Sequence, residues 1–397
     1  MNRRLLPLVF AFCCFAWLSC EQVCQAQLSA KPFEAASHAS FKPRELAKLA
    51  VIVSADDKNP DVPLDEARFV EDMFVEALLQ KGHVVVAKSD IKPALQGLDL
   101  SKFALNDSTA VAVGKLIDVP AVLVIKIGDF STKQQMDRRK GFQVSMAHTT
   151  ISARLVDAES GTLWWQGNSS LAEPIKVRGE QLVVLAKTAE KLCTAFPEKS
   201  SENLNQIDPK NIQKLALIMV DQAPSLVMFP RAIGNRGAKN DKLVKTPSDS
   251  DHRRLVEDKF GFLLADKGYS LVTKPDLEAV AKEKPFQQSG LTEENATEFG
   301  KILDVPAVMF VRMTEYDAEK QKNTGRSSHT FAVAAIGVRV ISVETGQVLW
   351  CRARTEEQEI QGAVVDTAPL FNKVVKKIGD LFPDGKLAKQ SPATSSQ

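Results

Sequence analysis

Two acidic pairs, Glu71-Asp72 and Glu257-Asp258, a set of histidines and several Gly-Lys dipeptides are the residues of this chain whose types and spacing invite a chemical reading. Paired carboxylates serve general acid–base catalysis only when both reach one reacting group. Adjacent residues on a helix point roughly 100° apart, so neither pair can cooperate directly, and solvation on a helix surface accounts for both. The histidines are His38, His83, His148, His252 and His329. They build no HExxH motif and no pair four residues apart, and the chain has no GxSxG elbow for a histidine to serve. His148 and His329 lie on comparable extended segments but out of register with each other, as ordinary strand positions do.

Anion-binding loops fare similarly. Gly234-Asn-Arg236-Gly237-Ala-Lys239 is Gly-rich and basic, yet it lacks the spacing and the terminal Lys-Ser/Thr of a phosphate loop. The stretch from Gly379 to Lys386 has one residue too many between its glycines and Leu387 after the lysine. The first reads as a flexible insertion and the second as a helix end. Gly114-Lys115 and Gly300-Lys301 could attract an anion, but a lysine in a helix's last turn also complements the helix dipole by about 0.3–1 kcal/mol. The sequence therefore predicts no catalytic residue, no cofactor-binding residue, no cofactor and no metal ligand, as in a protein that is not an enzyme.

Composition points the same way. Among 397 residues, 51 basic and 49 acidic side chains leave a formal charge of +2, too balanced for a dominant nucleic-acid footprint. With 44% hydrophobic and 25% charged positions the chain is not collagenous, wholly disordered or a polytopic membrane protein. Arg3 and Arg4 precede an apolar run from Leu5 to Cys20, and Ala26 precedes Gln27, the pattern of a signal peptide over 1–26 on an exported protein. The run is shorter than the roughly 20 residues of a spanning helix, so no transmembrane span is expected after cleavage. Leu18-Ser19-Cys20 also loosely resembles a bacterial lipobox, with Trp17 where leucine is usual, so lipidation at Cys20 is the alternative maturation. Cleavage after Ala26 leaves Cys193 and Cys351, which occupy non-equivalent places in the repeat described next and read as two buried thiols in preference to a disulfide.

The elements that position these residues occur twice. Arg68-Phe-Val-Glu-Asp72 returns 186 residues later as Arg254-Leu-Val-Glu-Asp258, as do Lys81-Gly82 and Gly114-Lys-Leu-Ile-Asp-Val-Pro-Ala-Val122. More than a third of positions 68–122 are identical to that copy. Asp157-Ala-Glu-Ser-Gly161-Thr-Leu-Trp164-Trp165 matches Val343-Glu-Thr-Gly346-Gln-Val-Leu-Trp350, and Ala195-Phe-Pro197 matches Leu381-Phe-Pro383. The modules span 45–197 and 211–383, after a flexible segment 27–44, with a linker 198–210, an inserted loop 221–250 and a disordered tail 384–397.

Each module begins with a short apolar run, 49–53 or 215–220, that reads as a strand covered on both faces. An amphipathic helix, 64–80 or 250–266, stops at Gly82 or Gly268. A second strand, 84–87 or 271–273, and a helix ending at Lys115-Leu116 or Lys301-Ile302 follow. The Asp-Val-Pro turn launches a third strand, 121–127 or 307–311. A hairpin then turns on Gly161 or Gly346, and a helix over 178–195 or 362–381 closes the unit. The predicted fold class is α/β: two tandem homologous modules, each a mixed sheet with a parallel β-α-β core plus an antiparallel hairpin, flanked by helices.

The helix, Lys-Gly turn, Gly-Lys-x-x-Asp-Val-Pro-Ala-Val stretch and Asp-x-x-x-Gly-x-x-x-Trp hairpin resemble the domain shared by the curli-secretion channel protein (CsgG-like) and penicillin-binding-protein activator lipoproteins of bacterial envelopes. The resemblance covers both modules. It implies non-enzymatic proteins, periplasmic or outer-membrane-associated, that pack into homo-oligomeric rings or dock onto envelope proteins. The tips 131–140 and 317–326, where the curli channel carries membrane-spanning hairpins, are charged here and read as soluble loops, which argues against a pore. The expected partner surface consists of an exposed Trp165 or Trp350 beside the hairpin and the insertion's apolar anchor and cations, Phe229, Arg231, Arg236, Lys239 and Lys242. A ligand-binding receptor or hydrolase working in a cleft between the modules is the alternative function.

Overall fold

The computed structural model describes residues 33–38, 41–55, 64–86, 107–137, 142–176, 179–200, 212–220, 249–272, 293–321, 329–361 and 368–385, with single positions between 202 and 207 and between 277 and 282. The first module holds β1 (Phe33–Ser37), β2 (Leu49–Ala55), α1 (Leu64–Gln80), α2 (Asp107–Leu116), β3 (Ala121–Asp137), β4 (Phe142–Asp157), β5 (Leu163–Ile175) and α3 (Glu180–Ala195). The second holds β6 (Lys214–Met219), α4 (Asp249–Asp266), β7 (Ser270–Leu271), α5 (Ala296–Ile302), β8 (Ala307–Gln321), β9 (His329–Ser342), β10 (Val348–Gln361) and α6 (Ala368–Asp380).

Sheet 1 runs in the order β1-β5-β4-β3-β2 and sheet 2 in the order β10-β9-β8-β6-β7. The crossover strands pair in parallel, β2 with β3 and β6 with β8, and the hairpins add antiparallel strands. This is the predicted mixed α/β class in both halves. The registers agree residue by residue: Lys126 pairs with Ser152 as Arg312 pairs with Gly337, and Leu155 pairs with Trp165 as Val340 pairs with Trp350. Even the irregularities repeat, between Ile127 and Asp129 and between Met313 and Glu315. β-Bulges are features of a fold, so shared bulges mark shared ancestry more strongly than shared strands do.

Local chemistry explains the turns. Asp118 and Asp304 sit in the left-handed region at φ 51° and 50°, which a short polar side chain tolerates, and the proline two residues later prevents the helix from continuing. Gly161 and Gly346, at φ 74° and 65°, turn the two hairpins.

The layers are less expected. α1 and α3 cover one face of sheet 1 and α2 the other, while α4 and α6 cover one face of sheet 2. The opposite face of sheet 2 receives α5 from its own module and α1 from the first module. One apolar core therefore runs from Leu123, Leu155 and Trp165 of sheet 1 through Phe69, Phe74 and Leu78 of α1 to Phe310, Ala335 and Ile341 of sheet 2.

Several expectations are corrected. Residues 33–37, expected within a flexible segment, form β1 antiparallel to β5, and Phe41 stacks on Trp164 with ring centroids 5.6 Å apart. The ladders expected to end before the charged tips continue to Asp137 opposite Phe142 and to Gln321 opposite His329. The second strand shrinks to β7 in one module and to bridges at Val85 and Val86 in the other, where Val86 pairs across to Gln347. Asp384 and Gly385, expected in the tail, hold Lys267 through an ion pair and a backbone hydrogen bond. The leader, the insertion from 221 to 248 and the tail from 386 lie outside the described residues.

Two predictions follow from packing and burial. A Cβ on Gly114 or Gly300 would drive into Ala158 or Val343, where α2 and α5 touch the hairpin turns. Alanine normally gains about 1 kcal/mol over glycine inside a helix, but overpacking costs about 1–3 kcal/mol, so Gly300→Ala should lower stability in urea denaturation. His83 is buried, its Nε2 donates to Pro197 O at 2.9 Å, and its Nδ1 has no hydrogen-bond partner among the described residues. Burial holds its pKa below the usual 6.5. A depressed folded pKa gives stability that is present above about pH 6.5 and is lost as pH falls through the folded value. The urea midpoint should drop on acidification below that pH, and His83→Gln, which keeps a donor for Pro197, should flatten the slope.

Candidate functional site

Helix α1 is where the two halves meet. It packs against β2 and α3 of its own module and against β8, β9 and β10 of the other. A helix inserted between two sheets keeps a narrow half-buried stripe, here Glu66, Met73 and Ala77, and the acids on its other sides go inside with it. Glu71 is 3% exposed, Asp72 1% and Glu76 8%. Burying three carboxylates costs several kcal/mol each unless cations and hydrogen bonds meet them.

Sheet 2 supplies the cations. Asp72 Oδ2 accepts from Arg312 Nη1 at 3.1 Å, and Asp72 Oδ1 accepts from Arg339 Nε. Arg339 Nη1 reaches Glu71 Oε1 at 3.0 Å and Glu293 Oε2 at 3.4 Å, and Arg312 Nη2 donates to Glu293 Oε1 at 2.5 Å. Gly337, paired across the sheet with Arg312 and two residues before Arg339, leaves the space that Asp72 fills, since a Cβ there would meet its carboxylate. One helical turn on, Glu76 takes both Nη atoms of Arg354 at 2.9 and 3.0 Å and the Ala353 backbone N–H at 3.0 Å, with Arg352 Nη1 at 3.6 Å. Arg352 lies over the Trp350 ring at 5.3 Å.

Three carboxylates thus share two buried guanidiniums at the centre. Burial pushes the Asp72 carboxyl above its usual value, Arg339 and Arg312 oppose this, and Glu293 and Glu71 reinforce it. Burial alone would weaken the hold of Arg339 on its proton, yet Asp72, Glu293 and Glu71 carry it well above the usual arginine value. Both arginines stay charged. Cys351 and Cys193 point their thiols at the Asp72 and Met73 carbonyls, at 3.4 and 3.8 Å, and both are buried outside any disulfide among the described residues. Burial pushes both thiols up, away from thiolate reactivity.

The cluster corrects the solvated reading of Glu71-Asp72. Their counterparts on α4 differ: Glu257 is half-buried and Asp258 exposed. Trp165 and Trp350 are also corrected as partner surface. Each is 1% exposed, packed edge-to-face against Phe196 or Phe382 at 4.8 or 4.9 Å, because the ring that faces the closing helix fills the core beneath it. The space between the modules, where the alternative function would place a cleft, is occupied by α1. A half-open pocket of about 470 Å³, lined by residues including Lys214, Val280 and Leu303, lies on the second module instead. Phe229, Arg231, Arg236, Lys239, Lys242 and Cys20 lie outside the described residues.

Sequence reasoning missed Arg312, Arg339, Glu293 and Glu76. The signal was a lone arginine inside each of the apolar runs Val-Met-Phe-Val-Arg312-Met and Ile-Gly337-Val-Arg339-Val-Ile. A charge flanked by core residues on a covered strand requires a buried partner, and a glycine in such a strand marks a close approach.

Removing one partner of a buried pair costs about 3–5 kcal/mol, whereas exposed positions change stability by about 0.5 kcal/mol or less. Asp72→Ala should therefore fall in the first class and Asp258→Ala in the second. Parallel urea melts of the two variants measure the difference, and equal losses would contradict the burial described.

Residues 260–372 match the family described as "Curli production assembly/transport component CsgG". No curated protein matches the chain. Among solved structures, the PelC dodecamer from Paraburkholderia phytofirmans is similar at 14% identity, covering 40% of this chain and 95% of its own, with TM-score 0.26. Lipoprotein GNA1162 from Neisseria meningitidis follows at 13% identity, 42% and 98% coverage and TM-score 0.28. The LpoB C-terminal domain from Salmonella enterica has 13% identity, 38% and 84% coverage and TM-score 0.19. The family match lies in the second half, and the first half repeats its strand order, register and bulges, so the two modules share one fold.

Proposed function

We infer that the protein is an exported component of the bacterial cell envelope, periplasmic or outer-membrane-associated, that works by protein–protein binding and assembly in secretion or envelope organisation, without catalysis. The observation that carries this reading is the use made of the converging charges. Arg312, Arg339 and Arg354 are each spent on a carboxylate of α1 or on Glu293. Groups so engaged hold two pieces of protein in register, which is a task of assembly. The "assembly/transport component" description of the matching family supports the same direction, and the basic, then apolar, start of the chain supports export. The insertion 221–250, with Phe229 followed by Arg231, Arg236, Lys239 and Lys242, is the segment we assign to partner contact.

Crosslinking and pull-down of the tagged full chain from envelope extracts tests the reading, beside a variant lacking residues 231–247. A discrete envelope protein, or a second copy, should be captured, and the deletion should weaken capture of a foreign partner. Recovery of the chain alone at every crosslinker concentration would overturn the reading. Intact mass of the exported protein decides its attachment: a free N-terminus at Gln27 means release, and acyl mass on Cys20 means a lipid anchor.

A further inference from the structure

The contact between the modules joins unlike surfaces. Module 1 contributes the outer side of its helix layer, α1, and module 2 contributes the outer face of its sheet. Because the modules share one fold, the chain carries each surface a second time: α4 repeats α1, and the outer face of sheet 1 repeats that of sheet 2. A contact between unlike surfaces of equivalent units can be extended from one unit to the next.

The second pair of surfaces keeps the charge logic of the first. Lys126 stands where Arg312 stands and Arg154 where Arg339 stands, as the paired registers require. Arg154 is exposed and Lys126 half-buried. On α4, Glu257 and Asp258 stand where Glu71 and Asp72 stand. Where the acid is lost, its cations are lost too. Glu76 corresponds to Phe262, and its partners Arg352 and Arg354 correspond to Gly167 and Ser169. Phe262 is 77% exposed, the largest exposure among the large apolar residues described. Equivalent helix positions that are shut in the first module are open here: Val75 and Leu79 are buried, while Gly261 is half-buried and Ala265 exposed. Ser152 replaces Gly337, so the close approach of the acid is relaxed, and Gln166 and Asn168 replace Cys351 and Ala353. The surfaces match in sign but are more polar than the internal pair, as suits a reversible contact.

We propose that a second copy of this chain docks its α4 on the outer face of sheet 1, with Glu257 and Asp258 meeting Lys126 and Arg154 as Glu71 and Asp72 meet Arg312 and Arg339 within one chain. This rests on the assembly reading above and names a partner and a surface for it. The contact is head-to-tail, so every chain offers one donor helix and one acceptor sheet. Being polar and solvent-edged, it weakens with salt.

Sedimentation of the purified full chain over a range of concentrations and salt tests the contact. At low salt the average mass should rise with concentration, and high salt should reverse it. Arg154→Asp and Asp258→Arg should each weaken self-association by about tenfold or more, since each sets like charges opposite one another. Both positions are exposed, and unchanged thermal melts would confirm that the variants fold. Mixing the two variants should restore association, because each retains the surface that the other lacks. A wild-type chain that stays monomeric throughout, variants that associate as wild type does, or a mixture that fails to recover would each overturn the proposal. If the wild-type chain stays monomeric in sedimentation but captures an envelope protein in the pull-down, this contact fails and the assembly reading survives. If neither copy nor partner is captured, both fall.

Discussion

A helix that lies between two sheets must be acceptable to both, and α1 is the constraint on which the rest of this molecule depends. Its apolar side chains serve one core that extends from sheet 1 into sheet 2. Its acids can be accepted there only because Arg312, Arg339 and Arg354 arrive from the other half of the chain. Apolar burial supplies the stabilisation, at about 25 cal/mol per Å². The ion cluster adds little net energy once desolvation is subtracted, but it penalises every misaligned docking by leaving a charge bare. The cluster therefore fixes register, and the core fixes affinity.

Much of the fold was legible because period and punctuation report it locally. Leu64–Gln80 reads as a helix and stops at Gly82, the Asp-Val-Pro turns mark two strand starts, and Gly161 and Gly346 mark two hairpins. The repeat let each half check the other. β1 was illegible, since Phe-Glu-Ala-Ala-Ser has no alternation of its own and owes its extended form to the edge of β5. The long ladders at the hairpin tips were hidden by their charges, which in sequence read as the punctuation of a loop.

The site was harder to see, for a physical reason. Asp72 and its partners are 240 and 267 residues apart in sequence. A pattern that shows a helix to be amphipathic cannot show that its polar side is also covered, because burial against a second module leaves no local trace. What traces existed lay on the acceptor side, in the arginines and the glycine of apolar strands. The tryptophans misled for the opposite reason. An aromatic beside a turn suggests a surface, yet Trp165 and Trp350 each face the helix that closes their module, and the core needed their volume.

The segment that joins the modules folds back along α1, with Lys199 N–H on Lys81 O at 3.0 Å and Leu204 N–H on Leu79 O at 2.9 Å. Covalent connection turns what would be a meeting of two molecules into a closure within one, at an effective concentration on the order of millimolar for short tethers. The central lock is thus indifferent to dilution. A single copy of the chain can complete its own interior before it meets anything else.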